Sequence, residues 1–232
     1  MSTELLLETA TDICSVAVWC DGEVAGEAIA TDVHQHASHL TILIQQAIRQ
    51  AGRKLSELTA VILSDGPGSY TSLRVGAATA KGLCLAIPGV QLITVPTLAA
   101  LAAAADAGTA DRILATINSR RGEVFGQIFR AASLTPETEV MNVRLTEPRW
   151  RGGLLGGDGL GRIAVCGPGQ ERVREALDDD NAFHFAAPDR ASARYLAARG
   201  VDPFRRTRDA GSYEPFYLNP PFVTKSKKKT LL

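Results

Sequence analysis

A Gly-Pro-Gly tripeptide constrains this chain more than any other feature, because it occurs twice in the same setting. Gly66-Pro67-Gly68 follows the apolar run 60–63, and Gly167-Pro168-Gly169 follows the apolar run 163–166. Both runs are too short for a helix and read as buried strands. Each tripeptide is followed by a segment of helical character, 71–86 in the first case and 171–177 in the second. Strand, tight turn and helix, met twice in one chain, point to an α/β protein built from two related lobes.

The flanking pattern agrees. Segments 5–7 and 13–19 read as strands around a polar turn, with Cys14, Val16, Val18 and Cys20 on one face, and Asp21-Gly22 turns the chain into a third strand at 23–30. A helix is expected over 36–51, where Leu40, Leu43, Ile44, Ala47, Ile48 and Ala51 form one stripe and Gly52 stops it. Ile42 lies off that stripe, which fits either deeper burial at home or a partner surface. In the helix 71–86, Gly76, Ala80 and Cys84 form one row of small residues, and Ala78, Gly82 and Ala86 a second. Glycine inside a helix costs about 1 kcal/mol relative to alanine, so close packing against the chain's own sheet or against a helix in trans is implied. Further on, 91–95 reads as a strand, 96–107 as an alanine-rich helix, 112–117 and 123–129 as a hairpin, and 171–177 and 190–198 as amphipathic helices. The composition shifts at 106–109, which divides the chain into lobes 1–105 and 106–232, with 190–232 able to pack back on the first. The glycine-rich stretch 151–161 reads as a loop and the lysine-rich 225–229 as a solvated tail.

Composition excludes several classes. The 232 residues are 45% hydrophobic and 22% charged, enough for a core and against wholesale disorder. Equal numbers of basic and acidic residues, 25 each, give no global case for a nucleic-acid binder, although residues 1–100 hold 5 basic against 9 acidic residues. Four cysteines without a C-x-x-C pair read as reduced thiols. No run is long and apolar enough to span a bilayer, and the start lacks the basic region of a signal peptide, so a cytoplasmic protein without membrane association is expected.

The residues that could carry chemistry are few. Gly66, Gly68 and Ser69 lead into a helix N-terminus, where free N–H groups favour an anion, or else they solve a tight turn. The loop lacks the lysine of a P-loop and the spacing of a dinucleotide site. Glu8 and Thr9 sit between the opening strands, where they could position a metal-bound water or a phosphate, or simply turn a hairpin. His34, His36 and His39 cluster without a carboxylate to complete a ligand set. Ser69 lacks a nucleophile-elbow context, which disfavours a serine hydrolase.

Taken together these segments resemble a known family. Residues 5–11 with Cys14-Ser15-Val16-Ala17-Val18, the start of the first helix, and above all Gly66-Pro67-Gly68-Ser69-Tyr70-Thr71-Ser72-Leu73-Arg74-Val75-Gly76 are similar to the bacterial tRNA threonylcarbamoyladenosine biosynthesis family TsaB, whose signature is GPGSFTGxRxG. Ser119-Arg120-Arg121-Gly122-Glu123-Val124-Phe125 and Glu214-Pro215-Phe216-Tyr217-Leu218 resemble two later segments of that family. Ser72 replaces a usual glycine, and 152–161 is an atypical insertion.

The resemblance implies an actin/hexokinase-like ATPase (ASKHA) fold of two lobes, each a mixed sheet with flanking helices. It implies a role in placing threonylcarbamoyl on N6 of adenosine 37 of ANN-decoding tRNAs, as a non-catalytic subunit that heterodimerises with TsaD. The ATPase TsaE would join as a third component, the chain would form a homodimer when alone, and tRNA would be met only indirectly. TsaD holds a metal through an H-x-x-x-H helix. Thr97 and Leu101 fall at those positions here, so no catalytic residue and no metal are expected, and no nucleotide held stoichiometrically outside a complex with TsaD and TsaE. The partner-binding residues implied are Leu40, Leu43, Ile44, Ala47, Arg74, Gly76, Ala77, Ala80 and Leu83. A degenerate nucleotide or phosphate cleft would be formed by Glu8, Thr9, Gly66, Gly68, Ser69, Gly167 and Gly169. The alternative is a catalytically active ATP-dependent enzyme of the same fold, with Glu8 or Asp65 as its carboxylate.

Overall fold

The computed structural model describes residues 2–30, 36–147, 150, 161–177 and 181–219. His34, the stretch 151–160 and the tail 225–229 lie outside the described residues.

The first sheet opens as an antiparallel meander of β1 (Thr3–Glu8), β2 (Cys14–Cys20) and β3 (Glu23–Ala30). Asp21 and Gly22, with φ of 48° and 100°, make the tight turn between β2 and β3. Helix α1 (His36–Gln50) leads to β4 (Ala60–Ser64), which lies parallel to β1; α2 (Tyr70–Ala86) then leads to β5 (Gln91–Val95), parallel to β4. After α3 (Thr97–Ala103) the second sheet repeats the plan. β6 (Arg112–Asn118), β7 (Glu123–Arg130) and β8 (Met141–Arg144) form a meander, β9 (Ile163–Cys166) lies parallel to β6, and β10 (Phe183–Phe185) lies parallel to β9, with α4 (Gln170–Glu175) between them. The spatial orders β5-β4-β1-β2-β3 and β10-β9-β6-β7-β8 are the same order in two lobes.

Packing follows from the period of two along the strands. On one face of the first sheet Leu5, Leu7, Val16, Val18, Val61 and Leu63 meet Leu40, Leu43, Ile44 and Ala47 of α1 and Ala77 and Ala80 of α2. On the opposite face Leu6, Ala17, Ile62 and Val95 meet Ala100 of α3 and the 193–201 segment. Leu98 and Leu101 of α3 pack instead with Ile113, Ile117 and Phe129 of the second sheet. Helix α3 is thus a wedge between two sheets, and every residue from Thr97 to Ala102 is buried. Alanine suits this position because the close approach of both sheets leaves no room for larger side chains.

Several expected elements differ. The alanine-rich helix ends at Ala103 rather than at 107. The helix expected over 190–198 is a short 3-10 turn, Ala193–Ala197, because Ser15 Oγ takes the Ala193 N–H at 3.1 Å and Ala193 and Leu196 bury at once against the first sheet. Three strands carried no hydrophobic pattern strong enough to be expected: β8, β10 and β11 (Arg206–Arg208). The last of these crosses back and pairs antiparallel with β5 at the edge of the first sheet. All four cysteines are free, with Cys84 half-buried and the others buried. Among the described residues no helix is long and apolar enough to cross a membrane.

Candidate functional site

The two glycine loops face each other across a cleft of about 360 Å³ between the lobes. Its walls are Ala10, Asp12, Gly68, Ser69 and Tyr70 from the first lobe, and Asn118, Ser119, Arg120, Phe125 and Pro168 from the second, with Tyr217 and Asn219 at its edge.

Each loop is docked on the opening hairpin of its own lobe. Gly66 has φ +108° and precedes a cis proline; its N–H donates to Thr97 Oγ1 at 3.1 Å, and its carbonyl accepts from the Thr97 N–H at 2.9 Å. A Cβ on Gly68 would lie 2.1 Å from the Ala10 carbonyl oxygen, and the Ser69 N–H donates to that same oxygen at 2.7 Å. Ser69 then caps α2, its Oγ accepting from Ser72 N at 3.4 Å and from Ser72 Oγ at 2.9 Å. In the second lobe the Gly167 N–H donates to Pro188 O at 2.6 Å and the Gly169 N–H to Thr116 O at 3.3 Å. The Gly167 position (φ +90°) also leaves no room for a Cβ, which would lie 2.2 Å from Thr116 O. These glycines are required by close backbone approach, and the N–H groups of Gly66, Ser69, Gly167 and Gly169 are engaged within the chain.

The two sites expected to hold phosphate in the opening turn are not open to the cleft. Glu8 is buried, and its Oε1 accepts from the Ala10 N–H at 2.6 Å. Burial pushes its carboxyl up to about 7, against the hydrogen bonds from Ala10 and Ser64, which favour the ionised form. Thr9 is fully buried under α2, where a Cβ on Gly76 would fall 2.2 Å from Thr9 Oγ1. Asp65, the other candidate carboxylate, is also occupied. It accepts from Tyr213 OH at 2.7 Å and Arg208 Nη2 at 3.2 Å, and its backbone carbonyl accepts from Phe216 N at 2.9 Å. The carboxylate anchors the C-terminal segment 206–217 to the first lobe and holds up the Tyr213 ionisation, which burial raises first. Among the described residues no group of three or more His, Cys, Asp and Glu could hold a metal.

The helices expected to face a partner are divided between core and surface. Leu40, Leu43, Ile44 and Ala47 are in the core of the first lobe, as are Gly76, Ala77 and Ala80, and Leu83 packs partly against it. Correcting the expectation, the seven buried residues do not form the outward surface, because the apolar stripe of each helix is consumed by the sheet beneath, while Leu83 is half-exposed. Arg74 remains exposed. The second small-residue row also points outward: Ala78, Gly82 and Ala86 are exposed, and nothing lies within 4 Å of a Cβ on Gly82. Beside that row Leu85 is 72% exposed, and Ile42 on neighbouring α1 is 48% exposed. The residues that sequence reasoning did not single out for the cleft are Tyr70, Asn118, Arg120 and Tyr217, polar or aromatic positions brought together only by the fold.

Two sheets of the same strand order enclosing a cleft, with a glycine loop from each, define an actin/hexokinase-like (ASKHA) fold. A solved structure of YeaZ from Pseudomonas aeruginosa superposes with a TM-score of 0.71 over 94% of this chain and all of that one, at 23% identity. The (R)-2-hydroxyglutaryl-CoA dehydratase component A of Acidaminococcus fermentans gives 0.50 over 87% of this chain and 96% of its own, at 11% identity. Residues 24–136 match the family model "TsaD: tRNA N6-adenosine threonylcarbamoyltransferase". The tRNA threonylcarbamoyladenosine biosynthesis protein TsaB of Haemophilus influenzae is 30% identical over 185 residues, 78% of this chain and 70% of that protein. The TsaB of Escherichia coli is 35% identical over 123 residues, and the match spans about half of each protein, 52%. The chain belongs to the TsaB family.

Proposed function

We propose that the chain is a non-catalytic subunit in the threonylcarbamoylation of N6 of adenosine 37 in ANN-decoding tRNAs, and that it acts by pairing with a TsaD-type catalytic subunit. The observation that carries this reading is the engagement of the glycine loops. In a working ATPase of this fold such amides would face phosphate oxygens, whereas here Ser69 N–H and Gly169 N–H donate to Ala10 O and Thr116 O. The positions of the TsaD metal-binding histidines support it further. Thr97 Oγ1 accepts from Gly66 N, and Leu101 is buried among Ile113, Ile117 and Phe129. A hydroxyl so used and an isobutyl group do not fit a metal.

The pairing surface is the outward face of α1 and α2, with Ile42, Arg74, Ala78, Gly82 and Leu85. Residues 24–136, which hold both helices, match the TsaD family model, so a TsaD-type partner presents a related pair and the contact is quasi-two-fold. The same geometry lets the chain self-associate when alone. TsaE joins the pair as the ATPase, nucleotide is held by the assembly, and tRNA is reached through TsaD. Size-exclusion chromatography of the chain mixed with purified TsaD tests this. A single peak at the mass of the heterodimer is expected, and separate elution at micromolar concentrations contradicts it.

A further inference from the structure

Arg74 lies exposed on α2, and its orientation is set by a chain of contacts that begins on the same helix and ends in the C-terminal segment. Arg74 Nη1 donates to Tyr70 OH at 2.8 Å, and its guanidinium lies 5.5 Å from the Tyr70 ring centroid. The Tyr70 ring in turn packs against the Tyr217 ring, centroid to centroid 4.7 Å with planes tilted by 42°. Tyr217 belongs to the C-terminal segment, which is fixed at three further points: Phe216 N–H to Asp65 O, Tyr213 OH to Asp65 Oδ1, and Lys81 Nζ to Tyr213 O at 3.0 Å. From Tyr70 to Lys81 α2 rises about 16 Å, and residues 213–217 in an extended path cover about 13 Å. The segment therefore runs as a strap along one flank of α2, antiparallel to it, with Tyr217 seated at the helix start.

We propose that this strap is a positioning element for partner recognition: Tyr217 holds Tyr70, Tyr70 holds Arg74, and Arg74 presents a pre-oriented guanidinium to a carboxylate on the partner helix. The inference rests on α2 being the pairing face. An exposed arginine normally samples many rotamers, and ordering it on binding costs affinity. Here the Tyr70 phenol oxygen accepts from Nη1 and the Tyr70 ring lies beside the guanidinium, so the fork is already oriented. Beyond Arg74 the row of Ala78 and Gly82 leaves the helix surface low, so a partner backbone can approach closely enough for its carboxylate to reach the guanidinium. Tyr70 and Tyr217 also line the interlobe cleft, so the same two rings border both the cleft and the pairing face.

A double-mutant cycle read by calorimetry with purified TsaD tests the relay. Tyr217→Ala is expected to weaken pairing roughly 3- to 10-fold, Tyr217→Phe to leave it unchanged, and Tyr217→Ala to have no further effect in an Arg74→Ala background. Raising the salt should weaken pairing of the wild type more than that of Arg74→Ala. If Tyr217→Ala fails to fold by thermal melt, Tyr70→Phe takes its place: it keeps the ring contact and removes the bond to Arg74, and should weaken pairing while sparing Tm. Equal losses in the two backgrounds, or no loss from either tyrosine variant, overturn the relay while the pairing itself stands. A wild-type chain that does not bind TsaD overturns the pairing and the relay together.

Discussion

Glu8 is the residue whose environment departs furthest from its sequence appearance. Between two strands it reads as a polar turn residue, yet the fold buries it at the end of β1 with its carboxyl raised to about 7 by desolvation. The sign of the consequence follows from linkage. Unfolded, the group ionises near its usual 4.5; folded, it keeps its proton until about 7, so the unfolded state binds fewer protons between these values and stability falls as pH rises through that window. The loss amounts to roughly 3 kcal/mol by the 1.36 kcal/mol per unit conversion. Glu8→Gln keeps an acceptor for the Ala10 N–H and removes the titration. Its Tm should exceed that of the wild type by a margin that grows from pH 5 to pH 8. Parallel melting curves across that range would show that Glu8 ionises without penalty. The glycines are more legible. Gly-Pro-Gly at a strand–helix junction announces a backbone constraint, and Gly68 and Gly167 meet carbonyl oxygens at 2.1 and 2.2 Å from any added Cβ. What the sequence does not disclose is which oxygen, because Ala10 and Thr116 come from the hairpin of the same lobe through strand pairing at a distance.

At the scale of the element, α2 carries two rows of small residues that periodicity alone makes equivalent. The structure distinguishes them: Gly76 and Ala80 lie against the sheet, while Ala78 and Gly82 face outward. The difference arises from Leu73 and Ala77, which share the side of Gly76 and draw it under the sheet. Two substitutions of the same chemistry should therefore act in opposite directions. Gly76→Ala drives a Cβ into Thr9 Oγ1 and should destabilise by about 1–3 kcal/mol. Gly82→Ala meets nothing and should stabilise by about 0.5–1 kcal/mol through lower chain entropy and better helix propensity. Thermal melts of the pair check this, and a common sign would mean that the two rows are not differently placed. Binding separates the rows again. Leu85→Asp leaves the core untouched and should weaken pairing with TsaD roughly tenfold or more, with Tm within a degree or two of the wild type. Unchanged affinity in that variant would move the contact off this face.

For the molecule as a whole, the duplication was legible from the paired Gly-Pro-Gly motifs and the three opening strands, and the common strand order of the two sheets makes it explicit. Elements with a weak hydrophobic pattern are not legible in the sequence. Strand β11 is Arg-Thr-Arg and exposed throughout; it forms because the edge of β5 accepts a partner and Arg208 reaches Thr94 and Asp65, none of which leaves a hydrophobic trace. The strap and the cleft residues Tyr70 and Tyr217 were hidden for the same reason, since their meeting depends on the chain returning from the second lobe to the first. In sequence α3 is a plain alanine-rich segment, and only the packing of both sheets against it explains that composition.

A non-catalytic pairing subunit, as proposed, works through its surface rather than through its cleft. Reconstitution of tRNA modification measures it most directly, using purified TsaD, TsaE, the enzyme that makes threonylcarbamoyl-adenylate, ATP and an ANN-decoding tRNA, with and without this chain. No modification is expected from the chain alone, little from the mixture lacking it, and full modification when it is added in equal amount to TsaD. Threonylcarbamoyl transfer by the chain without TsaD, or full transfer by the mixture without the chain, would contradict it.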